Sequence, residues 1–437
     1  MTIGTLAWAG ATTWRVGENA VEQSLQALAV TGPIAPALIV DAGWATTSAG
    51  IRLRSRILRA LPNAPVDEVL ISGPITVEEL RSLIDRWHRA RATSIVAVGG
   101  GTVIDAACLS ALPKEQLSAP GFCRGRSGLV MVPTASRPAL TRLVVPTTLG
   151  TGAELSSTAC CEGPDGKLLV LGEELRPEFA AVHPAATSGL PVGMVRGAVV
   201  EVLARLLVPF TAVPTGAAGV VRVADAHVLA DLDTLARVAA GGIRCGFNDD
   251  SRLTVAAVSA HSHAGWGTLG RGLFASPLWF VATELSAALR VSKAKATALL
   301  LPAWASAVLA GDDRWGGATR LRAGWRAVVE AHGDGEPVRK DRPSNDARSA
   351  NRARSADPAD GLAQFCLSVA QPDGAVGGGT DQDWKETADQ VAATCLRRWG
   401  AGLPMLGSLD YDALVSVVWQ ALSRQRVPTA AAGMARG

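Results

Sequence analysis

The chain has 437 residues, 48% of them hydrophobic and 19% charged, which is ample for two or three cored domains and too apolar for a disordered chain. Its 42 basic and 39 acidic residues leave a formal charge of +3, so the balance carries no nucleic-acid footprint. No run of about 18 uninterrupted apolar residues is present to span a membrane, and the first residues lack the features of a secretory signal. The seven cysteines (Cys108, Cys123, Cys160, Cys161, Cys245, Cys366, Cys395) form no CxxC pair, which excludes a disulfide scaffold and fits buried, reduced thiols in a cytoplasmic protein.

Short β-branched runs bounded by Gly or Pro predict buried strands at Ala37–Val40, Val69–Ser72, Ser94–Val98, Leu129–Val132 and Leu143–Val145. Between them, Ser48–Leu61 and Thr76–Ala92 carry helical spacing, the second opened by a Thr76/Glu79 capping box. That alternation predicts an α/β domain over residues 1–188, with a Rossmann-like parallel sheet covered on both faces. Beyond Leu190-Pro191 strand signals fade, and residues 189–437 are expected to form a helical domain. Within it, the polar stretch Gly333–Gly361 reads as a mobile loop at about 333–360. Helical spacing resumes at Leu362–Ala370, at Trp384–Trp399, and at Tyr411–Leu422 after a cap at Ser408 or Asp410. No internal repeat is visible.

Two glycine-rich segments carry the chemistry. Gly99-Gly100-Gly101-Thr102-Val103-Ile104-Asp105 follows the strand SIVAV and opens an apolar helix, so backbone without Cβ atoms and free helix N–H groups are offered to a phosphate. Pro146-Thr147-Thr148-Leu149-Gly150-Thr151-Gly152-Ala153-Glu154 again follows a strand, and its hydroxyls suit a phosphate and ribose site. With these two segments the sequence resembles the iron-containing alcohol dehydrogenase and dehydroquinate synthase-like superfamily, whose signatures are a GGGS-x-x-D turn and a PTT-x-GTGSE segment. The likeness extends to Leu38-Ile39-Val40-Asp41, to Lys167 in GKLLV, to Val182-His183-Pro184 where the family has V-D-P, and to Leu190-Pro191.

The resemblance implies NAD in a cleft between the two domains. Asp41 would bind the adenosine ribose and repel a 2′-phosphate, favouring NAD over NADP. Gly99, Gly100, Gly101, Thr102 and Asp105 would line the pyrophosphate and nicotinamide side, and Thr147, Thr148, Thr151 and Lys167 the adenosine half or the ribose. The family's metal ligands are where the chain departs. Aligning from Leu190-Pro191 through Gly197 puts Glu201 on the acidic ligand and Arg205 on the His that follows it. The match of Ala298-Leu299-Leu300-Leu301-Pro302 to the family's A-L-L-L-P puts Lys293 on the last His, with Thr283 and Trp279 on the two preceding histidines. His261 and His263, two apart on a helix, point to different sides and read as core residues rather than joint ligands. No catalytic metal is therefore expected.

In its place the cations Arg205 and Lys293 would stabilise a developing oxyanion, with Lys293 or Glu201 as base and Thr283 nearby, or they would bind a substrate carboxylate or phosphate. A structural Glu201–Arg205 ion pair in an inactive site is the bland alternative. The expected activity is metal-independent interconversion of an alcohol and a carbonyl. The expected substrate is a small molecule or a peptide of specialised metabolism, one setting being oxidation of a side-chain hydroxyl near a peptide's C-terminal carboxylate, where the β-keto acid formed would lose CO2. A non-catalytic scaffold subunit and a sugar-phosphate cyclase-like lyase are the other readings. The resemblance further suggests a homodimer and leaves a partner protein open.

Overall fold

The computed structural model describes residues 12–425, apart from 33, 119–121, 123–126, 134–137, 215, 217–218, 334–356, 370–379 and 401. Its strands, in chain order, are β1 (Thr13–Val16), β2 (Pro36–Asp41), β3 (Asp67–Ile71), β4 (Ser94–Gly99), β5 (Leu129–Met131), β6 (Thr141–Pro146), β7 (Thr158–Gly163), β8 (Gly166–Leu171) and β9 (Phe179–Val182). Helices of eight or more residues are numbered; those among the strands are α1 (Ala20–Val30), α2 (Ser48–Ala60), α3 (Val77–Ala90) and α4 (Gly101–Ser110). Six strands form one parallel sheet in the order β1-β9-β6-β4-β2-β3.

The period of two along β2 and β4 builds both covering layers. Leu38, Val40, Val96 and Val98 pack on one face with Leu25 of α1 and Leu53 and Ile57 of α2. Ala37, Ile39, Ile95 and Ala97 face the other way, onto Leu80, Ile84 and Trp87 of α3 and Val103 of α4. The capping box is formed: Thr76 Oγ1 accepts from Glu79 N at 3.2 Å, and Glu79 Oε2 accepts from Thr76 N at 2.8 Å. From β2 the chain moves outward to β3 and then back across β2 to β4, so the sheet's switch point lies between β2 and β4.

The run at Leu129–Val132 does not join this sheet. It forms β5, which pairs with β8 in a small sheet of order β5-β8-β7, because the antiparallel β7–β8 hairpin provides its edge. β1, β7, β9 and α1 leave no strand or helix pattern strong enough to be read in advance.

Every numbered element after β9 is helical: α5 (Val192–Ala212), α6 (Gly219–Cys245), α7 (Asp249–Ala264), α8 (Pro277–Leu289), α9 (Lys293–Leu309), α10 (Ala318–Gly333), α11 (Pro358–Val369), α12 (Asp381–Trp399) and α13 (Tyr411–Ser423). α11 begins at Pro358, earlier than the spacing suggests, because Asp357 Oδ1 accepts from Ala359 N at 2.8 Å. Most of the polar stretch expected as a loop lies outside the described residues. Asp410 is the cap of α13, its Oδ1 accepting from Ala413 N at 2.9 Å. Among the described residues no helix is long and apolar enough to cross a membrane. Cys108, Cys161, Cys366 and Cys395 are buried and unpaired, Cys160 is half-buried, and Cys245 departs from expectation in being exposed.

α12 ties the helices back to the small sheet. Gly128 N donates to Arg398 O at 2.9 Å, Arg398 Nη2 donates to Lys167 O, and the absent side chain of Gly128 makes room for the Trp399 ring.

Candidate active site

At the C-terminal edge of the sheet the two glycine-rich turns close on each other. Thr147 N donates to Gly99 O at 2.9 Å. A Cβ on Gly100 would lie 3.0 Å from Thr148 Cγ2, and one on Gly101 would lie 3.1 Å from Thr151 Cγ2. Gly99 has a different role from the one expected. Its Cβ would meet Val103 Cβ at 2.4 Å, so this glycine lets α4 pack on β4 rather than admitting a ligand.

No side chain caps α4 at Gly100, which leaves N–H groups of the first turn free. The Thr148 and Thr151 hydroxyls are buried without a hydrogen-bond partner. Orphaned hydroxyls beside a helix N-terminus fit the pyrophosphate of a dinucleotide. Across the switch point stands Asp41, whose Oδ1 accepts from Trp44 N at 2.7 Å and so holds the turn after β2.

A cavity of about 850 Å³ opens beside these turns. Gly101, Thr102, Asp105, Thr151 and Lys167 reach it from the sheet side, and Glu201, Arg205 and Lys293 from the helices. Asp41, Gly99, Gly100, Thr147 and Thr148 lie outside its lining. Thr283 is a correction: it is buried off the cavity wall, and its Oγ1 donates to Trp279 O of its own helix at 2.8 Å.

Lys293 begins α9 and carries its Nζ 3.8 Å from the centroid of the Trp279 ring. Burial pulls its pKa from 10.5 down to about 8, against the pull of the Glu201 carboxylate, while Lys167 and Arg205 add to the fall. Opposite forces act on Asp105. Burial raises it to about 7, although Cys160 N donates to Oδ2 at 3.0 Å and Lys167 and Lys293 stand near. The Cys160 thiol on the same wall is pushed up by burial to about 12 and stays protonated.

Arg205 is not free to meet a substrate. Nε donates to Ser262 Oγ at 2.7 Å, Nη1 to Thr151 O at 3.0 Å, and Nη2 to Gly150 O at 2.7 Å and Ser259 Oγ at 2.8 Å. Four of the five guanidinium donors are thus committed to clamping the second glycine-rich turn onto α7. No ion pair joins Arg205 to Glu201 among the described residues, so the simple i,i+4 bridge is not formed.

His263 donates Nε2–H to Thr151 O at 3.0 Å, and burial beside Arg205 keeps its imidazole neutral. His261 donates Nδ1–H to Asp231 Oδ2 at 2.7 Å, and that carboxylate raises its pKa. Both imidazoles are therefore engaged with protein partners. His183 caps the turn that follows β9, Nδ1 accepting from Ala185 N at 3.1 Å.

The donor set around Glu201 suits a divalent ion poorly. The cations Arg205 and Lys293 act on the same space, and among the described residues no three His, Cys, Asp or Glu side chains converge.

Sequence reading missed Asp231 with His261, and Arg271 with Asp225 and Arg320. The available signal was the aspartates Asp225 and Asp231 in the helical run before Gly241, and an arginine set between Gly270 and Gly272.

Residues 11–184 match the iron-containing alcohol dehydrogenase family. The similarity to that family thus lies in the N-terminal domain. Among curated relatives, the phosphonoacetaldehyde reductase of Streptomyces viridochromogenes is 34% identical over 29% of this chain and 33% of its own length. The 4-hydroxybutyrate dehydrogenase of Cupriavidus necator is 30% identical over 40% of this chain and 45% of its own. The chain thus aligns with a third to a half of these relatives. The NADH-dependent butanol dehydrogenase A of Thermotoga maritima has a similar fold, at TM-score 0.73 and 14% identity, covering 95% of this chain and 98% of that one.

Proposed function

We propose that this chain is a NAD-dependent oxidoreductase that interconverts an alcohol and a carbonyl without a resident metal ion. The observation that carries the reading is the pair of orphaned Thr148 and Thr151 hydroxyls beside the uncapped start of α4, of which Thr151 lines the cavity that holds Glu201 and Lys293. The dehydrogenases and reductases among the relatives support the reaction class. Asp41 supports NAD over NADP, since a fixed carboxylate repels a 2′-phosphate.

Bound NAD supplies the hydride acceptor. Lys293 handles the proton. As an amine it takes the proton from the substrate hydroxyl, and as an ammonium it stabilises the oxygen when the reaction runs the other way. A group with a pKa of about 8 holds both forms near neutral pH. Glu201 keeps the ammonium form accessible in a buried setting. Where the oxidised carbon is β to a carboxylate, as for a side-chain hydroxyl on the C-terminal residue of a peptide, the β-keto acid formed can lose CO2.

Calorimetric titration of NAD tests the cofactor. Wild type should bind, and Thr148→Val and Gly100→Val should weaken binding by about tenfold or more while the far-ultraviolet spectrum persists. Unchanged affinity in both variants would remove the site. NADH formation that disappears with a chelator and returns with iron or zinc would refute metal independence.

A further inference from the structure

At the far end of α5 a second charged cluster meets the same cavity. Asp225 of α6 is the carboxylate shared by two arginines: Arg271 Nη2 donates to Oδ1 at 2.9 Å, while Arg320 donates to both oxygens at 2.6 and 2.9 Å. Arg320 is further satisfied, its Nε donating to Phe210 O at 2.7 Å. Arg271 is not. Its side chain is only 6% exposed, yet Nε and Nη1 have no acceptor. Two guanidinium groups against one carboxylate leave an uncompensated positive charge, and a buried cation with unused donors is unfavourable until an acceptor arrives.

Of the two arginines, Arg271 lines the cavity. It sits between Gly270 (φ +73°) and Gly272 in the linker from α7 to α8, backbone that can adjust with little side-chain obstruction. Its guanidinium carbon lies 5.7 Å from the Phe210 ring centroid. Phe210 is nine residues beyond Glu201 on α5, or about 13 Å along the helix axis. Ala204 and Pro209, lying between those positions on α5, also face the cavity, as do Val228 and Phe274.

We infer that Arg271 anchors an oxyanion at the distal end of an elongated substrate, whose reacting carbon sits at Glu201 and Lys293 and whose middle is apolar. A carboxylate, phosphate or phosphonate offers the two or more acceptor oxygens that Nε and Nη1 call for. The inference rests on the proposed alcohol–carbonyl activity for the position of the reacting end. It differs from a carboxylate beside the reacting carbon in placing the charge about a helix's two and a half turns away.

Thermal unfolding of the NAD-loaded full chain provides the test, with α,ω-dicarboxylates from succinate to dodecanedioate, their dimethyl esters and an alkylphosphonate series as probes. Wild type should be stabilised by the longer diacids more than by succinate and more than by the matching esters. Arg271→Met should weaken diacid binding about ten- to a hundredfold, and Arg271→Lys should fall between, with NAD affinity unchanged in both. The phosphonate arm identifies which oxyanion is preferred. Equal stabilisation by diacid and ester in wild type, or by diacid in wild type and Arg271→Met, would overturn the anchor. Because the diacid–ester comparison needs only wild type, a variant that fails to fold does not shelter the inference. Loss of NAD binding by wild type would instead strike the activity on which the inference rests.

Discussion

Burial favours the neutral amine of Lys293, whereas the Trp279 ring face and the Glu201 carboxylate favour its ammonium form. The balance, at about 8, gives a residue that changes charge close to working pH. Lys293→Ala should therefore lower kcat about a hundred- to a thousandfold with NAD affinity unchanged, the size expected on removing one oxyanion donor. A kcat profile measured against pH should show an inflection near 8 in wild type and lose it in the variant. An unaltered kcat would place the proton elsewhere. Lys293 was legible because the match at Ala298–Pro302 fixes its register. Arg271 was not, because its sharing of Asp225 with Arg320 joins residues 46 and 95 positions apart.

Among elements, the decisive joint is between α5, the turn at residues 147–152 and α7. Arg205 spans it with four hydrogen bonds, two of them to the carbonyls of Gly150 and Thr151. Arg205→Met should leave both carbonyls without that donor and destabilise the fold by roughly 2–4 kcal/mol, read as a lower urea midpoint. NAD should bind more weakly in the same variant, because Thr151 belongs to the turn being held. A midpoint within error of wild type would show the clamp to be idle. The sequence spacing showed Glu201 and Arg205 one helical turn apart, which predicts a bridge. It could not show that acceptors from residues 54 to 57 positions away would claim the guanidinium first. Strands β2, β4 and β6 were plain in the sequence because burial on both faces makes their runs continuously apolar. β1 and β7 were hidden by polar residues at the sheet edges, and β5 was assigned to the wrong sheet because a short apolar run carries no information about its neighbour.

For the whole molecule, the same buried charges make stability depend on pH in two windows. Burial raises Asp105 from 3.8 and Glu154 from 4.5, each to about 7, so the folded state holds protons that the unfolded chain has released. Their contribution is full below the lower values and disappears as pH rises to about 7. Lys293 acts in the opposite direction. Its folded form releases a proton near 8 and its unfolded form near 10.5, so stability recovers across that interval. Urea midpoints of Asp105→Asn with Glu154→Gln should vary less than wild type between pH 4.5 and 7, and those of Lys293→Met less between 8 and 10.5. Parallel wild-type and variant curves would show that these groups do not titrate as described.

The bond from Gly128 N to Arg398 O, with the adjoining Ser127–Arg398 contact across 271 positions, has a consequence for biosynthesis. A ribosome must deliver nearly the entire chain before Arg398 and Trp399 can dock against β5 and β8. The strand that carries Lys167 is therefore finished late, well after the glycine-rich turn at Gly100 has left the exit tunnel. Between the emergence of Gly100 and that of Arg398, the nascent protein has its glycine-rich turn while one wall of the cavity is still missing.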